Sequence, residues 1–298
     1  MIFNNYKIVL INPYRGIGDL IFHLPLFKAL NHKFKSKIIL LTNSSNRAKE
    51  LLKNEPYIDK IIYVDFTRKE QLKKSYNLFK EINNLKPDLC ILTAPSKRLV
   101  WPLKFSNSKE KIYFEKNKIT DLSKYILNQS LQKLKKLKIE KKYSLNYSKK
   151  VFKNKSILLN IDSHHNQNNW QEENYIILTK NILKIDHFSK IYINFSPNNK
   201  NLFFKTLNEF KSDKKIVFTY KKKFDEVLSI INSCEFVIGN ESGPACIGAA
   251  LHKKVISIYD PKHTPNLSSK IINNKIIYFN SKQKKPTDIL RNIIKNIS

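Results

Sequence analysis

The chain has 298 residues, 41% of them hydrophobic, which is enough for two medium domains with separate cores and excludes a disordered polymer. No apolar run approaches the roughly 20 residues of a membrane-spanning helix, and the opening MIFNNYKIVLINPY lacks the charged-then-apolar order of a secretory signal. Lysine and arginine outnumber aspartate and glutamate by 55 to 24, a formal net charge of +31 that raises, and by itself does not establish, nucleic-acid or anionic-lipid binding.

Apolar strand candidates alternate with helical periods along almost the whole chain, the order expected of α/β folds with parallel sheets. In the first half the expected strands are Ile8–Ile11, Ile38–Leu41, Ile61–Val64, Asp88–Leu92 and Ile112–Phe114. Between them Leu72, Tyr76, Phe79, Ile82 and Leu85 mark one apolar face of a helix that Pro87 ends. A second long helix is predicted over Leu122–Leu137. The most polar stretch, 135–155, reads as an interdomain connection. The pattern then restarts with strands at Ile157–Ile161, Ile191–Phe195 and Ile216–Thr219, separated by helices near Glu172–Leu183, Lys200–Phe210 and Phe224–Ser233. Strands Phe236–Gly239, Val255–Tyr259 and Ile276–Phe279 and a helix from Thr287 to Ile297 close the chain. Two doubly wound halves of similar size follow, residues 1–150 and 151–284, with 285–298 as a C-terminal helix and a cleft expected between the halves.

Two turns concentrate the chemistry. In KIVLINPYRGIGDLIFHLPLFKAL a strand runs into a loop holding Gly16 and Gly18, and Asp19 opens a helix whose inner face is Leu20, Leu24, Phe27 and Leu30. Asp19 is then either an ordinary N-cap or a general base, kept ionised by the helix terminus. In CEFVIGNESGPACIGAALHKKVISIY a buried strand meets the polar turn Asn240, Glu241 and Ser242, then a small-residue helix and another strand. Ser242 is placed as an N-cap, and Pro244 falls in the first helical turn, where its missing N–H does no harm. Gly243 leaves room for a ligand against the backbone, while Ala245, Gly248, Ala249 and Ala250 let the helix lie close to the sheet. Such a helix end aims unpaired N–H groups at whatever lies above the sheet, and a phosphate is the usual occupant. A plain βαβ packing unit with a capped helix reads the same segment equally well.

The two turns together, Gly18-Asp19 with Pro25 and NESGPACIGAAL, make the chain similar to glycosyltransferase family nine, the heptosyltransferase-like enzymes. TNSSNRAKELLKNEPYIDKIIYVD and NNWQEENYIIL extend the resemblance over most of the chain. It implies a GT-B fold, two Rossmann-like domains facing across a cleft, and metal-independent inverting transfer of a sugar from a nucleotide-diphosphate donor, with no cofactor besides that substrate. ADP-heptose as donor and a lipopolysaccharide-core glycan as acceptor are the best-known case. The resemblance makes Asp19 the base and Asn240, Glu241, Ser242, Gly243 and Pro244 the donor-binding turn. The chain departs from the family pattern at Glu241 (commonly Asp), at Cys246 (commonly His) and at Asn168, two residues before Trp170, where a basic donor-phosphate contact is common.

Arg15, Gly18, Asn168 and Arg98 complete the expected acceptor or phosphate contacts, with surface exposure the plainer explanation for the two arginines. Tyr259, Asp260 and Pro261 occupy a strand end where they would line a nucleotide base. His164 and His165 point to different sides and lack further ligands, so no metal site is expected. The cations are nearly all lysine, with only Arg15, Arg47, Arg68, Arg98 and Arg291 offering the planar fork that nucleic-acid recognition favours. No specific nucleic-acid partner is therefore expected. The expected partners are the nucleotide sugar and a glycolipid or glycan acceptor, with peripheral contact to an anionic inner membrane face. Cys90, Cys234 and Cys246, without CxxC spacing, read as reduced thiols of a cytoplasmic protein. An inactive sugar-nucleotide-binding protein and a sugar-nucleotide epimerase are the alternative functions.

Overall fold

The computed structural model describes residues 6–66, 69–115, 122–134, 137–140, 144–147, 155–162, 170–196, 199–259, 276–282 and 285–297. The chain divides into two compact units, Met1–Asn146 and Tyr147–Ser298.

In the first unit five strands, β1 (Ile8–Asn12), β2 (Ile38–Thr42), β3 (Ile58–Tyr63), β4 (Leu89–Leu92) and β5 (Glu110–Tyr113), form one sheet in the order β3-β2-β1-β4-β5. Every pairing is parallel. The central strands β1, β2 and β4 are buried along their whole length, as a parallel sheet covered on both faces requires, and they read as continuous apolar runs. The helices are α1 (Ile17–Phe34), α2 (Ala48–Leu51), α3 (Gln71–Leu85), α4 (Lys97–Lys104) and α5 (Leu122–Lys133).

The second unit has six parallel strands, β6 (Ser156–Asn160), β7 (Lys190–Asn194), β8 (Ile216–Phe218), β9 (Phe236–Asn240), β10 (Lys254–Tyr259) and β11 (Ile276–Asn280). Their order is β11-β10-β9-β6-β7-β8, the full dinucleotide-fold winding in which the chain reverses direction across the sheet between β6 and β9. The first unit makes the same reversal between β1 and β4. Helices α6 (Glu172–Leu183), α7 (Lys200–Phe210), α8 (Phe224–Ser233), α9 (Gly243–Ala250) and α10 (Pro286–Ile297) flank the second sheet. The C-terminal helix α10 packs on α6 within this unit, with Ile289 and Ile293 in its core. None of the three cysteines is in a disulfide, and all are buried.

Several sequence expectations change in detail. The edge strands β3 and β5 begin earlier than expected, at Ile58 and Glu110, because the charged pairs Asp59-Lys60 and Glu110-Lys111 near their starts interrupt the apolar signal. The helix expected to reach Leu137 ends at Lys133, and α4 was not foreseen at all. The apolar face assigned to α3 divides. Leu78 and Ile82 are buried, whereas Leu72 is 89% and Tyr76 49% exposed. Burial follows the stripe facing the sheet rather than the stripe richest in aromatic residues.

At the reversal in the second sheet Gly239 pairs with Asn160, and a Cβ on Gly239 would lie 2.3 Å from the Asn160 carbonyl oxygen. Neighbouring backbone cannot yield as a flexible side chain can. Gly239→Ala is therefore expected to cost about 3 kcal/mol or more, at the upper end of overpacking effects. A denaturation midpoint equal to that of the wild type would refute this.

Candidate functional site

The first-domain turn follows directly from β1. Asn12, the last residue of that strand, accepts the Tyr14 N–H on Oδ1 at 3.1 Å, which bends the chain out of the sheet. The next turn over ties the loop down. Thr42 Oγ1 donates to the Asn12 carbonyl at 2.9 Å, Asn43 Nδ2 to the Pro13 carbonyl at 2.7 Å and Ser45 Oγ to the Arg15 carbonyl at 3.0 Å. Asn46 Nδ2 in turn donates to Thr42 Oγ1 at 2.6 Å.

Asp19 does not open the helix, as the sequence suggests. Gly16 is the N-cap, and Asp19 sits three residues into α1, its Oδ2 accepting the Gly16 N–H at 3.1 Å. This is one half of a capping box, the half a glycine cap permits. A Cβ on residue 16 would stand 2.7 Å from Asp19 Oδ2, so the bare backbone is what lets the carboxylate fold back. Burial pushes the Asp19 carboxyl above its ordinary value, and the Gly16 N–H only partly opposes it. Desolvation is the larger of these two effects on the carboxyl. A carboxylate held in this way is a stronger base than an exposed one.

His23 lies one turn further along α1 and is fully buried between Tyr14 and Phe27. Its Nδ1 lies 2.7 Å from the Asp19 carbonyl oxygen, which can only accept, so the proton is on Nδ1. Nε2 then carries a buried lone pair with no partner among the described residues. Burial lowers its pKa from 6.5 to about 4.

The donor-side turn occupies the reversal point of the second sheet. Thr219 Oγ1 donates to Asn194 Oδ1 at 2.6 Å, Asn194 Nδ2 to Asn160 Oδ1 at 2.6 Å, and Asn160 Nδ2 to Ser242 Oγ at 3.0 Å. Ser242 Oγ donates onward to the Asn240 carbonyl at 2.8 Å. This chain of side chains crosses the carboxyl ends of β8, β7, β6 and β9. Asn240 is buried, and its Oδ1 accepts the Trp170 N–H at 3.0 Å, which fixes the approach to α6. Glu241 donates its N–H to the Ile258 carbonyl at 2.9 Å and is half-buried.

Ser242 holds the N-cap position of α9, but its hydroxyl bonds none of that helix's N–H groups. The expected side-chain cap is absent because the hydroxyl is engaged by Asn160 and the Asn240 carbonyl. The Cys246 N–H closes on the Ser242 carbonyl at 3.2 Å, and Pro244 has no N–H. The N–H groups of Gly243 and Ala245 are left at the positive end of the helix. Gly248 presses this helix onto the sheet, since a Cβ there would lie 3.0 Å from Val237 Cγ2 and 3.2 Å from Val255 Cγ2.

Of the remaining expected contacts, Arg15 is exposed in the Asp19 loop and Gly18 is half-buried in the first turn of α1. Arg98 stands in the first turn of α4 and lines a small depression with Asp65, Phe66 and Lys74; its Nη1 is buried without a partner among the described residues. Asn168, His164, His165, Asp260 and Pro261 lie outside the described residues. Sequence reasoning named Gly16 in the loop without its role as the cap, and missed the roles of Gly239, Asn160, Asn194, Thr219 and Asp162. Asp162 accepts the Ser196 N–H on Oδ2 at 3.2 Å and leaves a buried Oδ1 without a partner among the described residues. A signal for part of this set was present, because β1, β6, β7 and β9 each end in asparagine. Among the described residues no group of three or more histidine, cysteine, aspartate or glutamate side chains is placed to hold a metal ion.

The depressed pKa of His23 sets a pH dependence of stability. The unfolded chain takes up this proton near pH 6.5 and the folded chain only near 4, so the contribution is full above 6.5 and is lost as pH falls toward 4. The loss is on the order of 3 kcal/mol at its limit. His23→Gln should shrink the difference in urea midpoint between pH 7 and pH 5, whatever its effect on stability at pH 7. An unchanged difference would remove His23 from the acid response.

The sequence profile of glycosyltransferase family 9 (heptosyltransferase) matches residues 109–294, more than half of the chain. No curated protein sequence matches significantly. Among solved structures, a family 9 glycosyl transferase from Veillonella parvula DSM 2008 superposes with a TM-score of 0.77 at 16% identity, covering 99% of this chain and 91% of that one. The E. coli ADP-heptose LPS heptosyltransferase II gives 0.73 at 13% identity, covering 97% and 98%. E. coli heptosyltransferase WaaC with ADP gives 0.70 at 11%, covering 97% and 99%. These likenesses establish a GT-B type fold of two Rossmann-like domains, and with the profile match, which spans the Asn240–Pro244 turn and its flanking elements, the chain belongs to glycosyltransferase family 9 and is a glycosyltransferase.

Proposed function

We propose that this glycosyltransferase moves a heptose-like sugar from a nucleotide-diphosphate donor, ADP-heptose being the leading candidate, to a cell-envelope glycan such as lipopolysaccharide core, with inversion and without a metal ion. The observation that carries the reading is the pair of turns at the reversal points of the two sheets. One holds a half-buried carboxylate with a raised pKa, and the other a helix end whose cap hydroxyl is committed elsewhere.

In this mechanism the Asp19 carboxylate takes the proton of the acceptor hydroxyl as that oxygen attacks the anomeric carbon. The bond from the anomeric carbon to the diphosphate oxygen breaks on the opposite face, and the nucleoside diphosphate departs with the electron pair. The growing negative charge falls on fixed donors at the start of α9, the N–H groups of Gly243 and Ala245, which need no reorganisation to receive it. Glu241 accepts hydrogen bonds from donor hydroxyls. Arg15, Gly18, Asn168 and Arg98 contribute acceptor or phosphate contacts. The protein works at the cytoplasmic face of the inner membrane, where such an acceptor would be presented.

Transfer from a panel of ADP-, UDP- and GDP-sugars tests the reading. Asp19→Asn should lower kcat by about 10²- to 10⁴-fold with nucleotide affinity retained, the range for loss of a general base. Equal turnover by Asp19→Asn and the wild type would remove Asp19 from the mechanism, and epimer formation from a donor without acceptor would replace transfer with isomerisation. Base function also needs the ionised carboxylate, so activity should fall with pH along an acid limb centred above the ordinary 3.8 of an aspartate. Gly16→Ala displaces that carboxylate through its new Cβ, and should lower kcat while leaving nucleotide affinity unchanged. A wild-type kcat in Gly16→Ala would show that the folded-back carboxylate is not the working geometry.

A further inference from the structure

Helices α3 and α4 pack on each other and share an outward face of unusual composition. Leu72 is 89% exposed, Phe105 58%, Tyr76 49% and Trp101 45%. These are four of the eight large hydrophobic side chains exposed among the described residues, so the patch is a concentration rather than a scatter. The rings form one continuous row. Tyr76 stacks on Phe79 at 6.4 Å, Phe79 meets Trp101 at 5.9 Å, and Trp101 meets Phe105 at 5.9 Å. Neither helix needs this face for the core, because Leu78, Ile82, Leu99 and Leu103 already pack the inner one.

The charge on the same two helices is one-sided. They carry Lys73, Lys74, Lys80, Lys97, Arg98 and Lys104 against the single acid Glu81. Among the described residues Lys74 pairs with Asp65 at 2.8 Å and Lys73 reaches Glu70 at 4.0 Å, while Lys80, Lys97 and Lys104 have no ion pair. Lys80 lies 4.7 Å over the Tyr76 ring and Lys104 5.7 Å over that of Phe105, so the ammonium groups edge the aromatic row. Aromatic rings interleaved with lysines match the chemistry of a bilayer interface, where the rings enter the headgroup boundary and the cations meet anionic lipid. A second copy of this chain fits poorly, since it would bring two such sets of cations together.

We propose that the α3–α4 face, centred on Tyr76, Trp101 and Phe105, is the surface by which this protein docks on an anionic lipid bilayer. The proposal stands on the surface alone. It can fail while the transfer chemistry holds, because lipid binding is read without any sugar donor.

Tryptophan fluorescence provides a direct test. The chain has two tryptophans, and Trp170 is only 2% exposed, so a lipid-dependent change reports Trp101. With vesicles of phosphatidylglycerol and brominated phosphatidylcholine, the full-length protein should be quenched, and Trp101→Phe should abolish the quenching. In sedimentation with unbrominated vesicles of the same composition, Trp101→Ser with Phe105→Ser should bind about tenfold more weakly or worse, from the lost burial of two aromatic side chains. Leu72→Ser, at the most exposed position, gives a weaker loss should the double variant misfold. Replacing Lys73, Lys80 and Lys104 by glutamine should weaken binding more than the same change at Lys211, Lys214 and Lys221. Absence of quenching, equal effects of the two lysine sets with no aromatic effect, or a lipid-free dimer that the double variant splits without losing lipid binding would each overturn the proposal.

Discussion

Both candidate turns exist because a glycine leaves out a side chain where another group comes up against its backbone. In the second unit the Asn160 carbonyl oxygen comes within 2.3 Å of the place a Cβ on Gly239 would occupy. That closeness brings the ends of β6 and β9 together and puts the Asn160 amide within reach of both Asn194 and Ser242. The Ser242 hydroxyl is thereby committed to the sheet, and it does not cap the N–H groups at the start of α9. In the first unit the same device works on a smaller scale. Gly16 has no Cβ to push against Asp19 Oδ2, so a carboxylate in the first turn of α1 can curl back onto its own cap. One glycine shapes the turn that leads into α9 and the other the seat of the Asp19 carboxylate, and each acts by omission.

The fold was largely legible in the sequence, because parallel strands buried on both faces announce themselves as unbroken apolar runs. The β1, β2, β4, β6 and β9 segments all read this way. Edge strands were less visible. β3 opens with Ile58, Asp59 and Lys60, whose two charged members point into solvent and hide the start of the strand. Helix α4 escaped because Pro102 sits inside it and its eight residues are too few to show a period. In the candidate site Asp19 and the Asn240–Pro244 turn stood out as local motifs. Asn160, Asn194 and Thr219 did not, since their meaning lies in neighbouring strands that only the folded order brings side by side.

The misread face of α3 is the most instructive difference. Periodicity reports that apolar residues share a face and says nothing about which way that face turns. Leu72, Tyr76 and Phe79 satisfied the period, yet the sheet took the stripe through Leu78 and Ile82. A helix apolar on more than one side, at the surface of so cationic a chain, has a second surface to account for. Charge alone could not localise it, because lysines are spread along the whole sequence.

The three buried cysteines have a practical corollary. Burial pushes the Cys234 thiol up to about 12 and that of Cys90 higher still, and Cys246 is buried at the foot of α9. The thiolate is the species that reacts with electrophiles and oxidants, so at neutral pH Cys90 and Cys234 are slow to react in the folded protein. A cysteine introduced on the surface would react faster than either, and a spin label or fluorophore could be placed at one chosen position without first stripping Cys90 and Cys234 out.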